Sequence, residues 1–508
     1  MSEGTADAGG PGLVATGTEG LDDILGGGVT RERLYLVEGN PGSGKTTLAL
    51  KFLLEGSARG ETVTYVTLSE SKEELDAVAA SHGWSLDAIG IVELVAAESE
   101  LDPDNQYTMF QPSEVELNET TEKILSEVTR LKPSRVVIDS LSELRLLAQN
   151  SLRYRRQILA MKQFFTGRRC TVLLLDDRTS ASDDLQLQSI AHGVISLEQL
   201  SPEYGAERRR LRVLKLRGQQ YRGGYHDFVI DRGGLNVFPR LVASEHDGRE
   251  VGPVEGSKSS GIDEVDALLC GGIEAGNSVL LLGPSGIGKS SLAIQYALAA
   301  AGRGEHAAVF AFDERVDTIL TRTAGLGQDL AGPVASGTIR IKQVDPAEIS
   351  PGEFAHRVRR AVEGHDGGGP AKVVIIDSLN GYLNAMPEER HLTVQLHELL
   401  TYLGHRGVIT FLIVSQHGML GPMSSPVDAS YLADTVILFR YFEVRGEVRQ
   451  AISVVKKRSG PHERTIRELR MGDRGIRVGE PLRDFHGVLT GTPTYLGKSE
   501  PLPRDRDE

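Results

Sequence analysis

The sequence predicts an α/β fold with two tandem domains, each a mostly parallel sheet flanked by helices. Three observations support this prediction. Short apolar runs alternate with longer helical patterns, the whole arrangement occurs twice, and each copy carries a glycine-rich loop between an apolar run and a helix. Continuous apolar strands separated by helices are typical of parallel sheets that are covered on both faces. With 40% hydrophobic and 25% charged residues, each domain has enough apolar side chains to bury a core.

The apolar runs place four of the strands in each copy. In the first copy they are Leu34–Glu38, Val63–Leu68, Val136–Ile138 and Thr171–Leu175. A helix is predicted at Thr46–Glu55, directly after the first strand, because leucine and phenylalanine recur there at helical spacing. The second copy repeats the strands at Val279–Leu282, Ala308–Phe312, Val373–Ile376 and Thr410–Val414.

The two copies are a duplicated domain rather than an array of short repeats. Residues 16–47 and 260–291 correspond, with Gly17, Asp22, Gly28 and Lys45 each recurring 244 residues later. A polar stretch at 247–259 has the composition of a linker. We therefore predict a flexible N-terminus at 1–12, a first domain at 13–246, a second domain at 247–495 and a charged tail at 496–508.

The charge and composition exclude several classes of protein. The formal net charge is −14, which argues against binding to duplex DNA or to an anionic membrane, since neutralising phosphates requires a basic surface. No apolar run reaches the roughly 18 residues of a membrane span, and the N-terminus does not resemble a signal peptide. Two cysteines are too few for a disulfide framework. We expect a cytoplasmic protein without nucleic-acid or membrane partners.

Two phosphate-binding loops are the strongest functional signal. Each matches GxxxxGK[ST] and lies between an apolar strand and a helix, which is the context that this motif requires. The backbone N–H groups of such a loop surround an anion, and the helix N-terminus adds its positive end. The lysine then pairs with the β- and γ-phosphates. The predicted nucleotide-binding residues are Gly39, Asn40, Pro41, Gly42, Ser43, Gly44, Lys45, Thr46 and Thr47 in the first copy, and Gly283, Pro284, Ser285, Gly286, Ile287, Gly288, Lys289, Ser290 and Ser291 in the second.

A magnesium site is predicted beside each loop. The hydroxyl group that follows the loop lysine, on Thr46 or Ser290, is a typical Mg²⁺ ligand. An acidic residue at a strand end completes such a site, and Asp139 and Asp377 follow the β-branched runs VVI and VVII. Because this pairing occurs at a similar distance from both loops, we predict ATP and Mg²⁺ as the ligands.

Carboxylates that follow another strand are the candidates for activating the attacking water. Glu70 follows the second strand of the first copy, and Glu314 lies 244 residues later. ATP hydrolysis needs a group that orients or deprotonates this water. Asp313 precedes Glu314, whereas Ser69 precedes Glu70, so we expect the two sites to differ chemically.

Two basic pairs are candidates for contacting a phosphate from outside its own domain. Lys215 and Arg217 lie on a late strand of the first copy, and Lys456 and Arg458 follow 241 residues later. Alternate residues of a strand share a face, so both members of a pair can reach one anion. A cation far from the loop in sequence can act as an arginine finger, often from a neighbouring subunit. A basic exposed strand edge is the simpler alternative.

Taken together, these motifs resemble the KaiC family of tandem RecA-like P-loop ATPases. The resemblance extends from about Thr16 to about Tyr495. It rests on TGTEGLDDILGGG, both loops, VVIDS and IIDSL, KLRGQQYRGGYHDFVI with FPRL, and LTGTPT. It implies a homohexameric double ring with ATP between subunits, in which Lys215, Arg217, Lys456 and Arg458 contact the neighbour's γ-phosphate and His462 is a further interface residue. It also implies ATP hydrolysis in the first tier and serine/threonine autophosphorylation in the second.

The sequence departs from the family pattern in three places. The family has two adjacent glutamates where this chain has Ser69-Glu70 and Asp313-Glu314. The family's adjacent Ser-Thr phosphoacceptor pair falls on Ser430 and Tyr431. The tail after Thr492 is short and charged, so we expect no oscillator that depends on the activator KaiA; a phosphorylation timer or signalling role fits better, with a KaiB-like or other signalling protein as a candidate partner.

Two alternatives from other classes stay open at this point. A DNA-dependent recombinase or helicase on the same scaffold would share the loops, although the net charge of −14 and 5% aromatic residues argue against it. A nucleotide-gated scaffold without turnover is the other alternative, and Ser69 favours it for the first domain.

Overall fold

The computed structural model describes residues 12–94, 112–177, 185–202, 204–246, 256–365, 367–384, 391–416, 430–444, 446–489 and 494–495. The predicted tail 496–508 and all but Gly12 of the predicted N-terminal segment lie outside these residues. The chain forms two compact units, residues 1–240 and 241–508.

The first unit contains strands and helices in alternation. Its strands are Leu13–Val14 (β1), Val29–Thr30 (β2), Leu34–Gly39 (β3), Val63–Thr67 (β4), Gly90–Glu93 (β5), Arg135–Asp139 (β6), Thr171–Asp177 (β7), Gly193–Leu200 (β8), Arg208–Leu216 (β9), His226–Asp231 (β10) and Gly234–Phe238 (β11). Its helices are Glu19–Ile24 (α1), Lys45–Ala58 (α2), Lys72–Ser81 (α3), Pro112–Leu131 (α4), Leu141–Ala148 (α5), Ser151–Phe165 (α6) and Leu185–Ile190 (α7).

The second unit repeats this order. Its strands are Ser257–Lys258 (β12), Ile273–Glu274 (β13), Ser278–Gly283 (β14), His306–Ala311 (β15), Ile339–Gln343 (β16), Ala371–Asp377 (β17), Ile409–Ser415 (β18), Thr435–Val444 (β19), Glu447–Lys457 (β20), Arg467–Gly472 (β21), Gly475–Pro481 (β22), Phe485–His486 (β23) and Thr494–Tyr495 (β24). Its helices are Asp263–Leu268 (α8), Lys289–Gly302 (α9), Val316–Gly325 (α10), Ala331–Ala335 (α11), Pro351–Glu363 (α12), Leu379–Asn384 (α13) and Leu392–His405 (α14), preceded by a 3₁₀ turn at Ala243–His246.

Each unit is built on a nine-stranded sheet, and the two sheets have the same topology. The orders are β11-β10-β9-β8-β3-β7-β6-β4-β5 and β22-β21-β20-β19-β14-β18-β17-β15-β16. The six strands from β8 to β5 pair in parallel, and β9, β10 and β11 extend the sheet antiparallel. The predicted fold class, a tandem α/β fold with mostly parallel sheets, is confirmed.

Helices cover both faces of each sheet, and this explains the apolar strand sequences. On β3, Tyr35 and Val37 belong to the core on one face, with the helices α2 and α3. Leu34 and Leu36 belong to the core on the other face, with α4, α5 and α6. Because successive strand residues point to opposite faces, a strand buried on both sides must be apolar throughout.

Local sequence also sets the helix ends that lie near the loops. α2 and α9 begin directly at the loop lysines, one residue before the predicted start of the first of them. α3, which follows Glu70, begins with a capping box in which the Ser71 hydroxyl accepts from the Glu74 amide and the Glu74 carboxylate accepts from the Ser71 amide. No helix in the described part of the chain combines the length and apolar character needed to cross a membrane.

Candidate nucleotide-binding sites

The phosphate-binding loops lie at the carboxyl ends of β3 and β14, the central strands of their sheets. Each loop leads directly into a helix, α2 or α9, whose N-terminal residue is the loop lysine. The residue before the lysine, Gly44 or Gly288, has a φ of 98° or 101°. Only glycine adopts this left-handed conformation at little cost, so the motif's last glycine is a backbone requirement of the turn. The loops are therefore placed as the sequence predicts.

Both loop lysines are buried and hold the loop in shape. Lys45 donates from Nζ to the backbone oxygens of Gly39 and Asn40, at 2.8 and 3.0 Å. Lys289 donates to the backbone oxygens of Gly283 and Pro284, at 2.8 and 2.6 Å. Burial lowers the pKa of Lys289 to about 8, against the attraction of Asp377. The ammonium groups thus already lie at the mouth of each loop.

In the first domain the predicted magnesium ligands lie together. The Thr46 hydroxyl donates to Oδ2 of Asp139 over 3.2 Å, and the Tyr65 hydroxyl donates to the same oxygen. Burial raises the pKa of Asp139, and these two hydrogen bonds oppose that rise. A hydroxyl and a carboxylate oxygen side by side suit Mg²⁺, which prefers oxygen ligands and completes its shell with phosphates and water.

The second domain repeats this pair. Burial raises the pKa of Asp377, and a hydrogen bond from the Ser290 side chain opposes that rise. Val309 stands where the first domain has Tyr65, so the tyrosine contact is specific to the first domain. Among the described residues, no group of three or more His, Cys, Asp or Glu is arranged to hold a metal ion, and two oxygen donors beside a phosphate loop are the arrangement that both domains share.

Glu70 follows β4 and is half-buried beside the first loop. Burial raises the pKa of its carboxyl group, and the negative charges of Asp139 and Asp177 raise it further. Its Oε2 atom is buried without a hydrogen-bond partner among the described residues. The preceding residue, Ser69, is exposed and has no carboxylate. Glu70 is therefore the acidic group that this strand end supplies to the site.

The second domain holds its two strand-end carboxylates differently. The Ser378 hydroxyl donates to Asp313. Arg322 forms a two-point ion pair with Glu314, at 3.1 and 2.9 Å, and also donates to the Ser291 hydroxyl at 2.9 Å. Both oxygens of Glu314 are therefore engaged, whereas Asp313 is exposed.

These residues line a cavity of about 550 Å³ in the second domain. Its walls combine the loop, the acidic pair and residues from the antiparallel strands. The charged and hydroxyl groups that face it include those of Lys289, Ser290, Asp313, Glu314, Arg322 and Asp377. Gln450 and Met471, on β20 and β21, also line the cavity. The volume falls in the range of small-molecule sites.

Three residues at these sites were not predicted from the sequence. Arg322 lies on α10, Tyr65 on β4 and Asp177 at the end of β7. Lys45 forms an ion pair with Asp177, with Nζ and Oδ1 2.7 Å apart. Each of the three differs between the copies, which have Val78, Val309 and Ser415 in the matching places, so comparing the copies position by position is the signal that would have found them.

The predicted inter-subunit cations lie away from the loop of their own domain. Lys215 pairs across the sheet with Val194, which pairs with Leu36, three residues before Gly39. Three residues along a strand are about 10 Å. Lys215 donates to backbone oxygens of Gln188, Ser189 and Ala191, and Arg217 to that of Ser189.

The second pair repeats this arrangement at the candidate phosphoacceptors. Lys456 donates to the backbone oxygens of Ser430 and Ala433, both at 2.7 Å. Arg458 donates to the backbone oxygen of Tyr431 at 2.8 Å. Ser430 and Tyr431 are both exposed, in the turn before β19. By these contacts, Gln188 and Ser189 of the first domain match Ser430 and Tyr431.

His462 lies apart from these groups. It is partly exposed on the segment between β20 and β21, and its backbone neighbour Glu463 donates to Leu268. Within a single chain, the structure does not bring His462, Lys456 or Arg458 to the phosphate loop. Their role at a subunit interface stays a prediction.

The family model and the relatives that match this sequence carry the same family name. The family model described as "ATPase: KaiC" matches residues 14–242 and again 258–483. The circadian clock oscillator protein KaiC of Thermostichus vulcanus is 26% identical over 498 residues, covering 96% of this chain and 93% of the relative. The same protein of Synechococcus elongatus is 26% identical, covering 95% and 92%. The circadian clock protein KaiC3 of a Synechocystis strain is 24% identical, covering 96% and 95%.

Proposed function

The chain belongs to the KaiC ATPase family, and from this premise we propose that it hydrolyses ATP and phosphorylates its own Ser430 within a ring of six copies. As a member, it is a KaiC-like ATP-binding protein. The observation that carries the proposal is the separation of each basic pair from its own phosphate loop. Cations placed in this way complete an ATP site only on a neighbouring copy.

The geometry of the parallel strands supports transfer between subunits. β19 runs parallel to β14, and the loop follows the carboxyl end of β14. Ser430 precedes β19, so it lies at the amino edge of the same sheet, opposite to the loop of its own domain. A ring stacks the amino edge of one subunit against the loop of the next and brings Ser430 to the γ-phosphate there.

The two domains are assigned different tasks because their side chains differ. The position whose backbone oxygen accepts from the lysine is Ser430 in the second domain and Gln188 in the first, and the serine of the first domain, Ser189, stands in the place of Tyr431. Phosphoryl transfer is therefore assigned to the second domain. The first domain turns over ATP with water, which Glu70 orients.

In the proposed transfer, the Ser430 hydroxyl oxygen of one subunit attacks the γ-phosphorus bound by its neighbour. The new O–P bond forms as the bond to the β-phosphate oxygen breaks, ADP leaves, and the hydroxyl proton passes to a carboxylate. We assign this proton to Asp313, because both oxygens of Glu314 are engaged by Arg322. Lys289 and the neighbouring Lys456 offset the charge of the phosphates.

Magnesium would be held by Thr46 with Asp139 and by Ser290 with Asp377. When bound, it neutralises phosphate charge. The chain's own groups fix where this happens: Tyr65 and Thr46 orient Asp139 by donating to one of its oxygens. A KaiB-like or other signalling protein stays a candidate partner, without a described surface assigned to it.

Phosphosite mapping tests this proposal. Purified chain is incubated with γ-labelled ATP and Mg²⁺, and its phosphopeptides are identified by mass spectrometry. We expect label on Ser430 that is lost in Ser430→Ala and Lys289→Ala but retained in Lys45→Ala. Retention in Tyr431→Phe separates the two acceptors.

Analytical ultracentrifugation of the same samples with ATP tests the ring, for which a species six times the mass of one chain is expected. Absence of label in the wild-type chain under conditions that form the ring would refute the kinase assignment. Turnover of unlabelled ATP that is lost in Glu70→Gln would still establish the hydrolysis in the first domain. ATPase activity that depends on added single-stranded DNA would instead favour the recombinase alternative.

A further inference from the structure

The two phosphate-loop lysines have different surroundings. Lys45 forms a 2.7 Å ion pair with Asp177. Among the residues that the structure describes, Lys289 has no such carboxylate partner and donates only to backbone oxygens of its loop. The first domain therefore adds a negative charge directly at the group that must receive phosphate.

Asp177 and Ser415 occupy the same position in the two sheets. Asp177 is the last residue of β7 and lies opposite Gly39 in the register with β3. Ser415 is the last residue of β18 and lies opposite Gly283 in the register with β14. The difference is thus one substitution, carboxylate for hydroxyl, at one place in a common framework.

The carboxylate of Asp177 faces the side of the loop where catalysis is assigned. Its second oxygen accepts from the Ser142 hydroxyl at 3.0 Å, which fixes its orientation. Its charge raises the pKa of both Glu70 and Asp139, so the three carboxylates share one space. Since Glu70 and Asp139 are assigned to the attacking water and the magnesium ion, this is the side on which the γ-phosphate lies.

We propose that Asp177 determines the nucleotide preference of the first domain: it competes with the γ-phosphate for Lys45 and so weakens ATP binding relative to ADP. The inference rests on the proposed function in requiring that the first loop bind nucleotide. The β-phosphate of either nucleotide lies within the backbone N–H groups of the loop. Only ATP places a further charged group beside Asp177. The second domain, with Ser415, carries no such discrimination.

The experiment measures affinities in chains with one working loop. Lys289→Ala leaves the first loop for measurement, and Lys45→Ala leaves the second. Binding of fluorescent ADP and of a fluorescent non-hydrolysable ATP analogue, both with Mg²⁺, is titrated for each. In the first background the variants are Asp177→Ser, which copies the second domain, and Asp177→Asn, which removes the charge but keeps the shape. In the second background the matched variant is Ser415→Asp.

We expect Asp177→Ser and Asp177→Asn to strengthen binding of the ATP analogue by about ten-fold or more, equivalent to about 1.4 kcal/mol. Binding of ADP should change by less than about three-fold, as for a charge screened by solvent. Ser415→Asp should weaken the ATP analogue more than ADP. Equal effects of the serine and asparagine variants would assign the discrimination to charge.

Asp177 would lose this role if the ratio of the two affinities stayed within about two-fold of wild type in both first-domain variants, the spread of ordinary surface changes. It would also lose it if neither the wild-type first loop nor Asp177→Ser bound nucleotide. The titration measures nucleotide affinity and does not depend on phosphorylation. A chain that failed to label Ser430 would refute the kinase assignment and still give the ratio that decides the role of Asp177.

Discussion

The Nζ atom of Lys456 lies 2.7 Å from the backbone oxygen of Ser430 and donates a hydrogen bond to it. Arg458 binds the next backbone oxygen, that of Tyr431, at 2.8 Å. The candidate phosphoacceptor and the cation pair are thus one connected unit at the edge of the sheet. If the cations approach a neighbour's phosphate, Ser430 approaches with them.

Mixing two inactive variants should restore phosphorylation, because acceptor and ATP site lie on different subunits in the proposed ring. Lys289→Ala keeps the acceptor but lacks the loop lysine of the second domain. Ser430→Ala keeps the loop but lacks the acceptor. We expect neither variant alone to be labelled, and the mixture to carry label on Ser430 of the Lys289→Ala subunits, measured by mass spectrometry with one partner isotopically heavy.

Two further mixtures serve as controls for this test. Adding Lys456→Met to the acceptor-bearing chain should abolish the restored label, since its Nζ atom donates to the Ser430 backbone oxygen and, in the proposed ring, contacts the neighbour's phosphate. Adding Arg449→Ala should not, because the partly exposed Arg449 of β20 pairs with Glu447 and Glu468 and contacts neither Ser430 nor Lys456 in the described contacts. The assignment would be contradicted if Lys289→Ala alone, without mixing, were labelled on Ser430 at the full rate.

Arg322→Ala should weaken ATP binding at the second loop. Arg322 is the positive partner of Glu314, and its removal leaves three carboxylates, Asp313, Glu314 and Asp377, around one cavity. We expect a three- to ten-fold loss of affinity, about 0.7–1.4 kcal/mol, measured by nucleotide titration in the Lys45→Ala background.

Arg315→Ala is the matched control for that variant. Its ion pair with Asp317 joins side chains that are 76% and 84% exposed, so its loss should not affect binding. ATP affinity that is unchanged or improved in Arg322→Ala would show that the ion pair has no part in nucleotide binding.

Gly283→Ala should disrupt the second loop at its first residue. A Cβ atom there would lie 2.7 Å from the backbone oxygen of Phe439 on the neighbouring strand, which cannot move without breaking the sheet. We expect a destabilisation of about 1–3 kcal/mol and loss of ATP binding to the second domain, checked by urea unfolding and titration.

Gly302→Ala gives the comparison within the same domain. Gly302 ends α9, and its Cβ would meet open space. This variant should keep full ATP affinity. Its free energy of unfolding should rise by up to about 1 kcal/mol, because alanine favours the helix. Normal ATP binding by Gly283→Ala would mean that β14 tolerates a wider spacing from β19 than the structure shows.

His226 should contribute stability to the first domain that is lost as the pH falls from about 6.5 to about 4. His226 is buried and uses both ring nitrogens in its neutral form: Nε2 donates to the Arg222 oxygen at 3.0 Å, and Nδ1 accepts from the Arg240 amide at 2.8 Å. Burial lowers its folded pKa to about 4. In the unfolded chain this histidine has a pKa of about 6.5 and binds the proton more tightly. Acidification below pH 6.5 therefore removes up to about 3 kcal/mol from the free energy of unfolding.

Trp84, the single tryptophan, belongs to the first domain and reports its unfolding by fluorescence. We expect His226→Asn to be less stable than wild type at pH 7.5. The slope of its unfolding free energy against pH should be smaller, by the equivalent of about one bound proton. His192, whose pKa burial also lowers to about 4, keeps part of the slope in that variant. Identical slopes for wild type and His226→Asn would show that another group carries the pH dependence.

The contiguous parts of both sites could be predicted from the sequence, because a phosphate loop is made by neighbouring residues. The run from Gly39 to Thr47 specifies its own turn, and the strand before it and the helix after it are set by local apolar patterning. Asp139 was found in the same way, from its place directly after an apolar run.

The ion pair of Lys45 with Asp177 and that of Glu314 with Arg322 could not be predicted so directly. The first joins the first residue of α2 to the last residue of β7, far apart in the chain, and the second joins the segment after β15 to α10. Such pairs depend on the strand order and on the angle at which α10 leaves the sheet. A list of motifs contains neither.

By itself, the sequence determined that the chain contains two copies of one α/β domain, each with a phosphate loop, a strand-end aspartate and a basic pair, because these are local patterns that recur in the same order. Only the tertiary structure decided which of these groups meet. It placed the loop and the aspartate at one edge of each sheet and Lys456 with Ser430 at the other, since parallel strands gather their carboxyl ends on one side. It also decided that the two sites differ, by bringing Asp177 to Lys45 in the first domain and Arg322 to Glu314 in the second.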